Sequence, residues 1–177
     1  MNTFPPYRIG TGYDIHPLKA GRRCVLGGVE IPSSSGPDGH SDADVLCHAI
    51  ADAILGAGGL CDIGFYFPNT DLACKDMNSL DILRRARDET AALGYAIQNV
   101  DATIIAECPK IAPYITAIKE SLAATLALPV NCIGVKATTN EKLGSIGAGL
   151  GIAVHAVCLL ARTRDDAPPP QPRQDLP

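Results

Sequence analysis

The chain has 177 residues, of which 46% are hydrophobic and 19% charged. That is the balance of one globular unit, since a domain runs to roughly 100–200 residues. A net charge of −4, 5% aromatic residues and no tryptophan argue against a nucleic-acid binder, which needs a cationic surface and stacking platforms. An anionic ligand would have to be met by locally placed cations, either metal ions or a few lysines. The seven cysteines (Cys24, Cys47, Cys61, Cys74, Cys108, Cys132 and Cys158) are odd in number, scattered and free of any C-x-x-C pair. Reduced core thiols fit that pattern better than a disulfide framework or a cysteine zinc site. No secretory segment opens the chain and no apolar run reaches the ~20 residues that cross a bilayer. The expected setting is therefore the cytoplasm, with plastid stroma as the alternative and no membrane partner.

In chain order, Arg8–Ile15 reads as a strand and Cys24–Ile31 as a second, bulged at Gly27–Gly28. A loop over 32–41 follows. Ser41 as N-cap, with Asp44 three residues on, opens a helix with a buried stripe of Val45, Leu46, Ile50, Ala53 and Ile54. Gly58–Gly59 stop it. A long loop, Asp62 to Asn78, leads to a helix over Leu80–Leu93 that ends at Gly94. Val100–Ala106 is a strand, Pro113–Leu126 a helix and Ile133–Ala137 a strand. Gly151–Leu160 is apolar enough for a strand covered on both faces. The class is α+β, a mixed-sheet α/β layer sandwich in one domain over residues 1–164. The Pro-rich residues 165–177 form a tail too polar to order itself.

Five stretches carry chemistry. Asp14-x-His16 lies on the first strand, where side chains two apart share a face; a carboxylate and an imidazole there suit zinc. A hydrogen-bonded turn into Pro17 is the alternative. Asp44, His48 and Asp52 fall at i, i+4 and i+8 of the first helix. His48 could add a third ligand, oriented by a carboxylate, or be a helix histidine bonded to its aspartates. Gly39-His40-Ser41-Asp42 precedes that helix, where backbone amides favour phosphate, although simple capping explains it as well. Lys136 to Lys142 leaves an apolar strand with hydroxyls, lysines and Glu141, groups suited to phosphate and a hard divalent ion; Thr138 with Glu141 also matches a capping box. Ala106 to Ile111 turns through a proline and exposes backbone edges.

Taken together, RIGTGYDIH, GHSDADVLCHAIADAILGA, DIGFYFP, VDATIIAECPKI and VKATTNEKLG, in that order, resemble the 2-C-methyl-D-erythritol 2,4-cyclodiphosphate synthase family over about residues 7–162. The resemblance implies a lyase that converts 4-diphosphocytidyl-2-C-methyl-D-erythritol 2-phosphate to the 2,4-cyclodiphosphate and CMP, in non-mevalonate isoprenoid synthesis. It implies zinc on Asp14, His16 and His48, and a second ion, magnesium or manganese, on Glu141. His40 and Ser41 would contact phosphate, with His40 and Thr139 stabilising the transition state. Asp62, Ile63 and Gly64 would bind sugar hydroxyls, and the substrate-binding set continues through Phe67, Pro68, Asn69, Thr70 and Asp71. Ala106, Glu107, Cys108, Pro109, Lys110, Ile111 and Ala112 would form the cytosine pocket. Thr138, Thr139 and Asn140 would lie along the diphosphate. A homotrimer with active sites between subunits is implied too. Two departures stand out. Gly147-Ala148-Gly149-Leu150-Gly151 lacks an arginine that the family associates with an isoprenoid diphosphate site on the trimer axis, and Asn69 stands where Asp is common. His155 reads as a structural or interface residue. A zinc phosphoesterase and a non-catalytic nucleotide- or metal-binding protein are the competing readings.

Overall fold

The computed structural model describes residues 5–39, 41–68, 70 and 77–163. Its centre is a five-stranded sheet in the order β4-β1-β7-β5-β6, with β2 and β3 as a separate pair. The strands are β1 (Tyr7–Ala20), β2 (Cys24–Leu26), β3 (Val29–Ile31), β4 (Ser35–Pro37), β5 (Tyr95–Ile105), β6 (Ile133–Thr138) and β7 (Gly151–Arg162). β7 runs antiparallel to both β1 and β5, while β5 and β6 are parallel. The helices are α1 (Val45–Gly58), α2 (Ile63–Tyr66), α3 (Ser79–Ala92), α4 (Ile115–Leu126) and α5 (Gly144–Gly147). This is the mixed-sheet, single-domain α/β architecture expected.

One face of the sheet carries the core. Along β1 the residues at Gly10, Gly12, Asp14 and His16 point toward α1, whereas Tyr7, Ile9, Tyr13 and Ile15 point away. Gly10 and Gly12 let the helix come close: a Cβ at Gly12 would run into the Ala49 carbonyl, and one at Gly10 into that of Ala53. The helix therefore descends β1 with its first turn over Asp14. Its packed face includes Leu46, Ile50 and Ile54, all fully buried, as the sequence stripe requires.

The opposite face is open. Tyr7 is 63% exposed, Ile9 69% and Tyr13 50%. On β7, His155 faces the same way and its ring lies 4.7 Å from that of Tyr13. The expectation that β7 is covered on both faces is thus corrected: within one chain its apolar second face is bare at Val157, which is 43% exposed.

Three local expectations also change. Cys24–Ile31 is a hairpin rather than a bulged strand, because Gly27 (φ 60°) and Gly28 (φ 74°) supply the two left-handed residues of a tight turn. The N-cap of α1 is Asp44, whose side chain accepts from the Cys47 amide, and not Ser41, whose hydroxyl instead accepts from the Ala43 amide. Thr138 and Glu141 cap no helix; the turn that follows has Glu141 and Lys142 at positive φ. The six described cysteines are free thiols. Among the described residues no helix is long and apolar enough to cross a membrane. The 165–177 tail lies outside the described residues.

Candidate active site

Asp14 and His16 reach the same side of β1 by strand periodicity, and His48 meets them from the first full turn of α1. One ligand atom from each lies within 4.8 Å of the others. Asp14 Oδ2 is 3.0 Å from His16 Nε2 and 3.1 Å from His48 Nδ1. The other nitrogen of each ring faces a different kind of partner. His16 Nδ1 is 3.0 Å from the Asp38 carbonyl, to which it donates. His48 Nε2 lies 3.0 Å from Ser79 Oγ and 3.1 Å from Ser41 Oγ.

The three groups of the cluster are electrostatically coupled. Burial alone would raise the Asp14 pKa, but the adjoining His16 and His48 imidazoles hold its carboxyl well below the usual carboxylate range. For His16, burial works downward, and the Asp14 and Asp38 contacts outweigh it and leave the ring raised. His16 Nε2 is nonetheless buried without an aligned hydrogen-bond partner. Two imidazole nitrogens and a carboxylate oxygen within 4.8 Å of one another are a ligand set that suits zinc, whose catalytic sites take three protein ligands and a fourth from outside.

The cluster opens into a cavity of about 390 Å³ lined by Asp14, His16, Gly39, Ser41 and His48 on one side and by Ile63, Gly64, Phe67, Met77 and Ile82 on the other. Asp62 accepts from the Phe65 amide as N-cap of α2. Asp52 accepts from the Ile63 amide at 2.9 Å, so it anchors α2 rather than orienting His48. Asp44, whose carboxylate also takes the Gly28 amide at 2.7 Å, likewise makes a backbone cap. The aspartate stripe therefore does not orient the imidazole through its side chains. That position goes to Ser41 and Ser79; nothing in the sequence points to Ser79 or Asp38, and Asp42 stands out only as part of the loop before α1. Pro68 and Thr70 are exposed beyond α2. His40, Asn69 and Asp71 lie outside the described residues.

The remaining predicted residues gather elsewhere. Ala106–Ala112 and Thr138–Glu141 leave the neighbouring ends of the parallel pair β5 and β6, and none of them lines the cavity. Glu107 joins the two loops: its Oε1 accepts the Asn140 and Lys142 amides, both at 3.2 Å, and its Oε2 pairs with Lys142 Nζ at 2.5 Å. The hydrogen bond and charge of Lys142 depress the Glu107 pKa. Thr139 Oγ1 donates to Glu141 Oε1 at 3.1 Å. Glu141 offers one exposed carboxylate, enough for a hard ion that keeps water and takes its other ligands from phosphates. Cys108 and Lys110 are exposed, Ile111 is buried.

A family model described as the YgbB family matches residues 7–161. The 2-C-methyl-D-erythritol 2,4-cyclodiphosphate synthase of Chlorobium phaeobacteroides (strain DSM 266 / SMG 266 / 2430) is 52% identical over 153 residues, or 86% of this chain and 97% of that one. Its namesake from Laribacter hongkongensis (strain HLHK9) is 54% identical over 153 residues, covering 86% and 94%. Among solved structures, the CDP complex of Plasmodium falciparum IspF superposes with a TM-score of 0.80 at 38% identity, over 91% of this chain and 99% of that one. The bifunctional IspDF of Campylobacter jejuni gives a TM-score of 0.85 at 41% identity and covers 88% of this chain, which spans 42% of that longer protein. The family model spans all three residues of the cluster and all seven strands almost to the end of β7, and the chain belongs to the YgbB family.

Proposed function

We propose that this chain is a 2-C-methyl-D-erythritol 2,4-cyclodiphosphate synthase, a phosphorus–oxygen lyase that closes 4-diphosphocytidyl-2-C-methyl-D-erythritol 2-phosphate on itself and releases CMP. The observation that carries the reading is the convergence of Asp14, His16 and His48 at the mouth of a cavity, in a chain about half identical to proteins of that name. The catalytic unit is assigned to residues 1–164 and the compartment to the cytoplasm.

The substrate's 2-phosphate oxygen attacks the β-phosphorus, a P–O bond forms there, and the bond to the α-phosphate oxygen breaks, so that CMP leaves as an anion. The nucleophile belongs to the substrate, and the protein needs none of its own. Its buried thiols fit that: burial raises Cys24 to about 11 and Cys158 to about 12, so neither is a thiolate at neutral pH. Asp14, His16 and His48 would hold zinc, and Glu141 magnesium or manganese. When bound, the two ions neutralise charge on the diphosphate and act as Lewis acids. The chain's own groups position the substrate. Ser41 and His40 would contact the phosphates, with His40 and Thr139 assigned to the charge that builds up in the transition state. Asp62, Ile63 and Gly64 take sugar hydroxyls, and Phe67 to Asp71 border them. Ala106 to Ala112 cradle the cytosine, with Thr138 to Asn140 along the diphosphate. Holding nucleophile and phosphorus in line removes the entropic cost of their encounter.

Two features support a homotrimer with shared sites. The bare apolar face of β1 and β7 needs a partner, and the metal cluster and the nucleotide loops of one chain do not share a cavity. Copies that pack through that face would bring the loops of one chain to the cluster of the next. The test is phosphorus NMR of the product made by the purified, zinc- and magnesium-loaded protein. CMP with a cyclic diphosphate is expected; CMP with a linear product, made by attack of water, would identify a phosphoesterase instead.

A further inference from the structure

His48 is the ligand that comes from a helix, and something outside that helix fixes its ring. Its Nε2 contacts Ser79 Oγ, 31 residues away in sequence, at 3.0 Å. Ser79 is fully buried at the start of α3, next to the Met77 and Ile82 that line the cavity. Asp42 grips it twice: the Ser79 hydroxyl donates to Asp42 Oδ1, and the Ser79 amide donates to Oδ2 at 3.1 Å. A second strap holds the same loop, since the Asp42 amide donates to the Met77 carbonyl at 3.2 Å.

The proton logic is directional. A carboxylate only accepts, so Asp42 claims the Ser79 hydroxyl hydrogen, and Ser79 Oγ can offer His48 only its lone pairs. Ser41 Oγ, which accepts from the Ala43 amide at 3.1 Å, keeps a second lone pair for the same nitrogen, so it is compatible with the polarity that Ser79 sets. His48 Nε2 then carries hydrogen, and a neutral ring keeps its lone pair on Nδ1, which faces Asp14 Oδ2 3.1 Å away across the position an ion would take. His16 is set the opposite way: its Nδ1 donates to the Asp38 carbonyl and its Nε2 faces the cluster.

We propose that Ser79 and Asp42 are positioning residues: the chain Asp42–Ser79–His48 locks His48 in the Nε2–H tautomer and so aims a free Nδ1 lone pair at the metal position. The proposal rests on the reading of Asp14, His16 and His48 as a metal site. Partners of this kind, which fix the ring of a ligating histidine, are worth about 10- to 100-fold in metal affinity. The alternative is that Asp42 and Ser79 merely pin the start of α3 to the loop before α1.

The experiment uses the full chain, loaded with zinc and then titrated with a competing chelator, alongside long-range proton–nitrogen NMR of its four imidazoles. In the wild type, His48 should show the Nε2–H tautomer. Ser79→Ala should weaken zinc binding about 10- to 100-fold, and Ser79→Thr, which keeps the hydroxyl, should recover most of it. Asp42→Asn gives a sharper reading, because an amide donor facing Ser79 Oγ turns the hydroxyl hydrogen toward His48 and drives the ring to the Nδ1–H form, with weakened zinc. Thr90→Ala is the control for helix anchoring: it removes another buried α3 hydroxyl, one bonded only to the Ala86 and Arg87 carbonyls, and should leave zinc affinity unchanged. If Ser79→Ala does not fold, Asp42→Asn decides alone. Unchanged zinc affinity and an unchanged His48 tautomer in the folded variants would overturn the proposal while leaving the metal site intact. A wild type that binds no zinc would instead overturn the metal reading itself.

Discussion

The Asp14–His16–His48 cluster and the loops that follow β5 and β6 sit at the same end of one sheet but are finished differently. Asp14, His16 and His48 are supported from behind by the chain's own elements: Asp38 from the loop after β4, Ser79 from α3, and α1 seated on Gly10 and Gly12. Their side chains are at most 23% exposed. In the Ala106–Ala112 and Thr138–Glu141 loops, by contrast, Glu107 is the one tightly enclosed carboxylate, and it serves to tie the two loops together. Lys142, which pairs with it, is 80% exposed. A cluster braced on all sides by its own chain can hold an ion unaided. Loops that brace only each other leave their outer surface open, which is where the proposed nucleotide site and subunit seam would fall.

The comparison breaks most visibly on the metal side. His48→Ala should sharply reduce bound zinc and, with the loss of several kcal/mol of charge stabilisation, lower turnover about 1,000-fold. Metal analysis and CMP release check both, and full zinc content in the variant would remove His48 from the ligand set. Chelation of the wild type should abolish activity, and added zinc should restore it.

Next in size is a rescue. Asp14→Ala damages only the cluster and Thr139→Ala only the loops. Each variant alone should be nearly inactive, and subunit exchange between the two should recover activity, because one intact half from each can meet at a shared site. No recovery after verified exchange would place both halves of a working site in one chain.

Gly12→Ala tests how the cluster is held. A methyl there meets the α1 backbone and not a flexible side chain, so the helix must shift, at about 1–3 kcal/mol of stability. Denaturant unfolding reads that loss, and weaker zinc binding should accompany it as His48 is carried away from Asp14. The mildest change is Glu107→Gln, which loosens the loops without touching the cluster. It should raise KM for the cytidyl substrate severalfold, with kcat and zinc affinity kept; a fall in zinc affinity would show that the two regions are not separable.

The sequence disclosed these regions unevenly. Asp14 and His16 were legible because a strand repeats every two residues, and His48 because the polar positions of α1 repeat along one face. The brace behind them was not. Asp38 acts through its main-chain carbonyl, which any residue possesses, and Ser79 lies 37 positions from the Asp42 that holds it, a separation only the docking of α3 on α1 closes. The N-cap was misplaced from Ser41 to Asp44 for a related reason. Ser41 is engaged locally by Ala43 and across space by His48, whereas Asp44 turns one carboxylate oxygen to the Cys47 amide and the other to the Gly28 amide. The apolar composition of β7 indicated burial on both faces, yet composition alone does not tell whether the second cover comes from the same chain or from another copy.

The central claim, that Asp14, His16 and His48 hold one ion together, is tested most directly by zinc-edge X-ray absorption of the zinc-loaded protein. Two imidazole nitrogens and carboxylate oxygen are expected at about 2.0–2.2 Å, with no sulfur. A shell containing thiolate at about 2.3 Å, or one without imidazole scattering, would contradict it.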